Sequence, residues 1–130
     1  MKWLVSAAML ISTPALASDW VLISSGPKIG DVSVDVSSAT SAAESITIWE
    51  KWDLNALKVK ETLKGRTISE TKSRVIYNCK SKTFIILQIV YYDSDGSVID
   101  TMVTSSYSTA NAVVPDTIGE KIMKSVCKLN

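Results

Sequence analysis

The chain has 130 residues, 46% of them hydrophobic, with 14 basic side chains against 13 acidic ones and no histidine. That length suits one domain with a single modest core. The missing imidazole removes Ser-His-Asp and Cys-His nucleophile activation, histidine metal sites and the commonest general base, so neither an enzyme nor a bound cofactor or metal is expected.

Met1 to Ala17 has the parts of a secretory signal: Lys2 at the start, an apolar run from Trp3 to Ile11, and Ala15-Leu16-Ala17 as a small-x-small cleavage site. Cleavage after Ala17 is expected to leave a domain of residues 18–130 that is periplasmic or secreted. Neither this run nor any later one reaches the roughly 18 apolar residues of a transmembrane segment. A bacterial lipid anchor needs a cysteine directly after the cleavage site. Ser18 stands there, so no lipid anchor is expected. In an oxidising compartment the only two cysteines, Cys79 and Cys127, read as a disulfide rather than a metal or redox pair.

Trp20 to Ile23 reads as a short strand closed by a Gly26-Pro27 turn. Val32-Ser33-Val34-Asp35-Val36 alternates with the period of a half-buried strand, and the small polar residues Ser37 to Ala43 read as a linker. Ile46 to Leu54 alternates again. Ile46, Ile48, Trp52 and Leu54 share one face, and Thr47, Trp49, Lys51 and Asp53 the other. Residues 55–71 are compatible with a frayed strand or a short helical turn before Gly65.

Arg74 to Cys79 sets Val75, Tyr77 and Cys79 on one face. Lys80-Ser81-Lys82 joins it to Thr83 to Tyr92, a nearly continuous apolar run expected to be the central strand. Asp93-Ser94-Asp95-Gly96 is a hairpin turn, because glycine after aspartate accepts positive φ, and Val98 to Thr104 returns as its partner. The turn lacks the acidic spacing and closing glutamate of a calcium loop.

After a Ser/Thr/Ala-rich crossover from Ser105 to Ala112, Thr117-Ile118-Gly119-Glu120 offers a capping box. Ile118, Ile122, Met123, Val126 and Cys127 then recur on one helical face. The expected architecture is α+β: an antiparallel sheet with one C-terminal helix packed on it, tied to it by Cys79 and Cys127.

Charge is segregated. Lys51 to Lys82 carries nine basic residues against three acidic ones. Within it Lys58, Lys60, Lys64 and Arg66 read either as a patch steering acidic or sulfated partners or as a solvated face with no dedicated partner. Trp20, Trp49 and Trp52 read first as core. Strict alternation nevertheless sets Trp49 opposite Ile48 with Lys51 beside it, where it anchors a partner unless the helix covers that same face. The block has none of the aromatic-basic interleaving of an oligonucleotide platform, so no nucleic acid is expected.

Trp20 to Ile23, Val34-Asp35 with Ser37-Ser38, Trp49, Ser73, Asn78-Cys79-Lys80, Tyr91-Tyr92 with Gly96, and Val114 to Gly119 with Val126-Cys127 together resemble the surface-adhesin protein E family. The resemblance spans essentially all of residues 18–130. It implies a sheet of about six strands with one helix and adhesion to host extracellular-matrix or serum proteins such as vitronectin, laminin and plasminogen. It also implies a homodimer. A second reading is a periplasmic structural or accessory protein, or an inhibitor, that shares only the fold.

Overall fold

The computed structural model describes residues 18–104 and 109–129. The expected signal segment, residues 1–17, lies outside the described residues, as does part of the Ser105–Ala112 crossover. Among the described residues, nine strands and one helix follow in chain order: β1 (Trp20–Gly26), β2 (Gly30–Ala42), β3 (Ser45–Asp53), β4 (Thr62–Leu63), β5 (Arg66–Thr67), β6 (Glu70–Asn78), β7 (Thr83–Tyr92), β8 (Val98–Val103), β9 (Asn111–Ala112) and α1 (Ile118–Cys127). Six of them form an antiparallel sheet in the order β1-β2-β3-β6-β7-β8, and the two-residue β9 also pairs with β7. β4 and β5 form a separate small hairpin.

Three expectations need correction. Ser37 to Ala42 continues β2 instead of forming a linker. The ladder to β3 is interrupted between Asp35 and Thr40, where the Ser38 hydroxyl donates to the Asp35 carbonyl and accepts from Trp49 N–H. Small hydroxyl residues here supply the hydrogen bonds that an irregular ladder leaves unmet, which hides the strand from propensity. β1 likewise runs on to Gly26, and the reversal into β2 follows it. The apolar run of β7 is not central: β3 and β6 occupy the middle of the sheet, and β7 lies one strand from the β8 edge. Its side chains are mostly half-buried.

The uncertain segment 55–71 resolves into an exposed loop, the β4–β5 hairpin, the buried pair Ile68 and Ser69, and the first two residues of β6, which starts at Glu70 and not at Arg74. Arg66 pairs with Asp93 and Lys64 with Asp100, so the hairpin is tied to β8 and the turn before it. In that turn Asp93 Oδ1 accepts from Asp95 N–H and Ser97 N–H while Gly96 takes a φ of 77°. The turn is held by the Asp93 side chain together with the backbone bonds Asp93 N–H to Ser97 O and Gly96 N–H to Asp93 O.

The core forms where alternation on the strands meets the helical stripe. Val32, Val34, Ile46, Ile48, Val75 and Tyr77 pack against Ile122, Met123 and Val126. Cys127 ends the helix and bonds to Cys79 just past β6, with Cα atoms 5.9 Å apart. Thr117 caps the helix, its hydroxyl accepting from Glu120 N–H at 3.3 Å. The Glu120 side chain accepts from Asp116 N–H instead of returning to Thr117, so the capping box is half formed. Lys124 pairs with Glu120 one turn later.

Glu50 continues the inward alternation of β3 between Ile48 and Trp52 and is only 5% exposed. Tyr77 donates its hydroxyl to one carboxylate oxygen at 2.6 Å, and the Trp52 indole N–H donates to the other at 2.9 Å. Burial pushes the Glu50 carboxyl above its ordinary range despite these two donors.

Candidate functional site

The sheet face away from the helix is built by the same alternation read from the other side. In-register pairing lines up Trp20, Asp35, Trp49 and Arg74 across β1, β2, β3 and β6, and the next row carries Leu22, Ser33, Lys51 and Lys72. Tyr92 follows on β7, opposite Glu70. The result is a face of two tryptophans, a tyrosine and three cations.

Lys51 and Lys72 stand directly opposite each other, a placement that costs stability for like charges. Aromatic faces offset the repulsion. Lys51 Nζ sits 4.5 Å from the Trp20 ring centroid, and Lys72 Nζ sits 5.9 Å from Trp20 and 5.0 Å from Tyr92. Each such contact contributes about 0.5–1 kcal/mol where water has access. Lys72 also reaches Glu70 at 3.9 Å.

A concavity of about 360 Å³ opens on this face, lined by Trp20, Asp35, Trp49, Lys72, Val90 and Tyr92. Asp35 forms its acidic wall. Burial alone raises this carboxyl, but hydrogen bonds from the Ser37 hydroxyl, Asp19 N–H and Ser37 N–H outweigh it and hold Asp35 below its ordinary value. The charge is therefore fixed in the concavity that Lys72 also lines, and the surface offers ammonium groups and half-buried rings around a carboxylate that is itself buried. Such a mix suits a polar, aromatic-rich protein contact.

Of the residues singled out by sequence, Trp49 and Lys51 lie on this face. Trp49 is half-buried, and the helix packs on the other side of the sheet. Lys58 and Lys60 project from the exposed loop before β4. Lys64 and Arg66 are engaged with Asp100 and Asp93, so half of that quartet is already neutralised by acidic partners. The cysteines tie the helix to the sheet. Trp20 reads from sequence first as core, and Lys72 and Tyr92 are not among the residues expected to bind a partner, although the alternation of β6 and the pairing of β7 carry the signal. Among the described residues no group of three or more His, Cys, Asp or Glu side chains is placed to hold a metal. No described helix is long and apolar enough to cross a membrane.

Solved structures with the same architecture come from protein E of Haemophilus influenzae. One crystal form superposes with a TM-score of 0.56 at 14% identity, covering 94% of this chain and 97% of that one. Another structure of the same protein gives 0.57 at 16% identity, covering 92% and 91%. Protein E from non-typeable Haemophilus influenzae gives 0.56 at 12% identity, covering 92% and 82%. At such identities the likeness is one of fold. No curated protein sequence matches the chain. Residues 20–128 match the family described as surface-adhesin protein E, a span that contains every strand, the disulfide and the whole helix. The chain belongs to the surface-adhesin protein E family.

Proposed function

We propose that the protein is an exported adhesin-like binding protein, not an enzyme, that holds a protein partner against the sheet face opposite the helix. The observation that carries this reading is the pair of opposed lysines stacked over Trp20 and Tyr92, with Trp49 in the same concavity. Trp20, Trp49, Tyr92 and Arg74 are of the residue types enriched at interface anchors, and Lys51 and Lys72 add positive charge that steers an acidic partner. Membership of an adhesin family and the absence of histidine both favour binding over catalysis. The family and the secretory pattern of Met1 to Ala17 support export, and extracellular-matrix or serum proteins such as vitronectin, laminin and plasminogen are the partner class of this reading.

Trp49 and Lys51 act as anchors in this reading, and of the basic quartet Lys58 and Lys60 form a charged rim while Lys64 and Arg66 stay paired with Asp100 and Asp93. The test is binding to immobilised vitronectin, laminin and plasminogen over a salt series. Trp49→Ala, or Lys51→Gln with Lys72→Gln, is expected to speed dissociation and weaken affinity about tenfold, which is about 1.4 kcal/mol. Neutralising Lys58 and Lys60 together should slow association and flatten the salt dependence. Saturable binding that ignores the anchor substitutions would reject this face.

A homodimer has its own support. Val98, Met102 and Val103 on the edge strand β8 are 51%, 52% and 74% exposed, and an apolar edge is a template for pairing with a second copy. Sedimentation of Val103→Lys against the native chain measures it. Confinement of the native protein to the periplasm would favour the accessory-protein reading instead.

A further inference from the structure

The helix covers only part of the sheet face on which it packs. It crosses β1, β3 and β6, so the β6–β7 half beside its first turn stays open as a groove of about 380 Å³. Phe84, Ile86 and Ile89 of β7 form one wall, and Ile118 of the helix faces them. That volume lies within the range of small-molecule sites, about 300–1,000 Å³.

Glu50 lines the same groove, and Trp52, Tyr77 and Tyr91 surround it with aromatic rings. Each of its carboxyl oxygens accepts one hydrogen bond, from Tyr77 or from Trp52. Pairing with a cation favours the ionised form, and an ionised carboxylate has about four acceptor sites, so two remain free at the groove that Glu50 lines. No lysine or arginine is among the described residues lining it. A buried carboxyl without a countercharge is costly, and its elevated protonation equilibrium is the physical sign of that cost. A cation completes the arrangement by supplying the missing countercharge. An anion would meet a carboxylate, and a neutral apolar body would leave the acid without its counterpart.

We propose that this groove binds a small organic ammonium, an amine on an apolar alkyl or aryl body, whose cation pairs with Glu50 while the body lies against Ile86, Ile89 and Ile118. The site is on the opposite side of the sheet from Trp49 and Lys51, so it stands apart from the adhesin-like reading.

The experiment titrates the full protein with hexylammonium, hexanol and hexanoate at neutral pH by calorimetry, while following the Trp52 indole N–H resonance. Hexylammonium is expected to bind at least tenfold more tightly than either other probe and to shift that resonance. Glu50→Gln should erase the preference, so that amine and alcohol bind alike. Ile89→Trp, which fills the groove from its open side, should abolish binding of hexylammonium. Equal binding of amine and alcohol to the native protein would overturn the proposal, as would no binding of hexylammonium or a preference that survives Glu50→Gln. If Glu50→Gln does not fold, the Trp52 resonance and the Ile89→Trp variant decide the matter.

Discussion

Two glycines with the same backbone angle have different consequences. Gly30 and Gly96 both take a φ of 77°. A Cβ on Gly30 would lie 2.1 Å from the Asp53 carbonyl oxygen, whereas one on Gly96 meets nothing within 4 Å. Gly96→Ala should therefore cost only its backbone strain, about 1–2 kcal/mol. Gly30→Ala must in addition push β3 from β2, and a loss of about 3 kcal/mol or more is expected. Urea midpoints of the two variants check this, and equal losses would refute it.

Glu50 sets a pH dependence of unusual sign for a carboxyl. Its folded value is raised, so the native state retains a proton that the unfolded chain gives up. The resulting stability is full below the unfolded value and is lost as pH rises through the folded one. Glu50→Gln carries no such loss. Its melting temperature relative to the native protein should climb between pH 4 and pH 8, and a constant difference across that range would show that Glu50 keeps an ordinary equilibrium. Glu50 was legible as an inward position, two residues from both Ile48 and Trp52. Its partner Tyr77 lies 27 residues away, and only strand pairing brings the two together.

At the level of elements, legibility followed hydrophobic period. β3, β7 and α1 appear with bounds close to those expected, because each carries an uninterrupted apolar rhythm. The second half of β2 carries none, and it is held by Ser38 and by pairing of Thr40 to Ala42 with β3. The β4–β5 hairpin has only two residues in each strand and depends on Arg66 and Lys64 reaching acidic groups near β8. Local pattern carries no trace of such distant partners. The helix start is the opposite case, since Thr117 is a local signal. Thr117→Ala removes the acceptor for Glu120 N–H and should cost about 1 kcal/mol, read as a lower denaturant midpoint with an unchanged slope.

For the molecule as a whole, one covalent tie joins the two layers. Cys79 and Cys127 are 48 residues apart, and closing a loop of that size restricts the unfolded chain by about 4 kcal/mol in the chain-entropy model. Cys79→Ser, or reduction, should lower the melting temperature by more than about 10 °C. An unchanged midpoint under reductant would contradict the pairing. The tie also fixes where the helix lies. Its last residue is held beside the end of β6, its apolar stripe covers the middle of the sheet, and two surfaces are left: the aromatic-cationic face behind and the Glu50 groove in front.

Periodicity and residue chemistry alone determined the layer count, the antiparallel alternation, the helix with its capping threonine, the cysteine pairing and the side of β3 that Trp49 takes. These depend on neighbours a few residues apart, or on there being only two thiols to join. Strand order, the neutralisation of Lys64 and Arg66, the stacking of Lys51 and Lys72 over Trp20, and the isolation of Glu50 from any cation were decided only by tertiary structure. Each of these depends on which distant residues stand opposite one another across the ladder, and a period of two fixes the face of a side chain without fixing its neighbour.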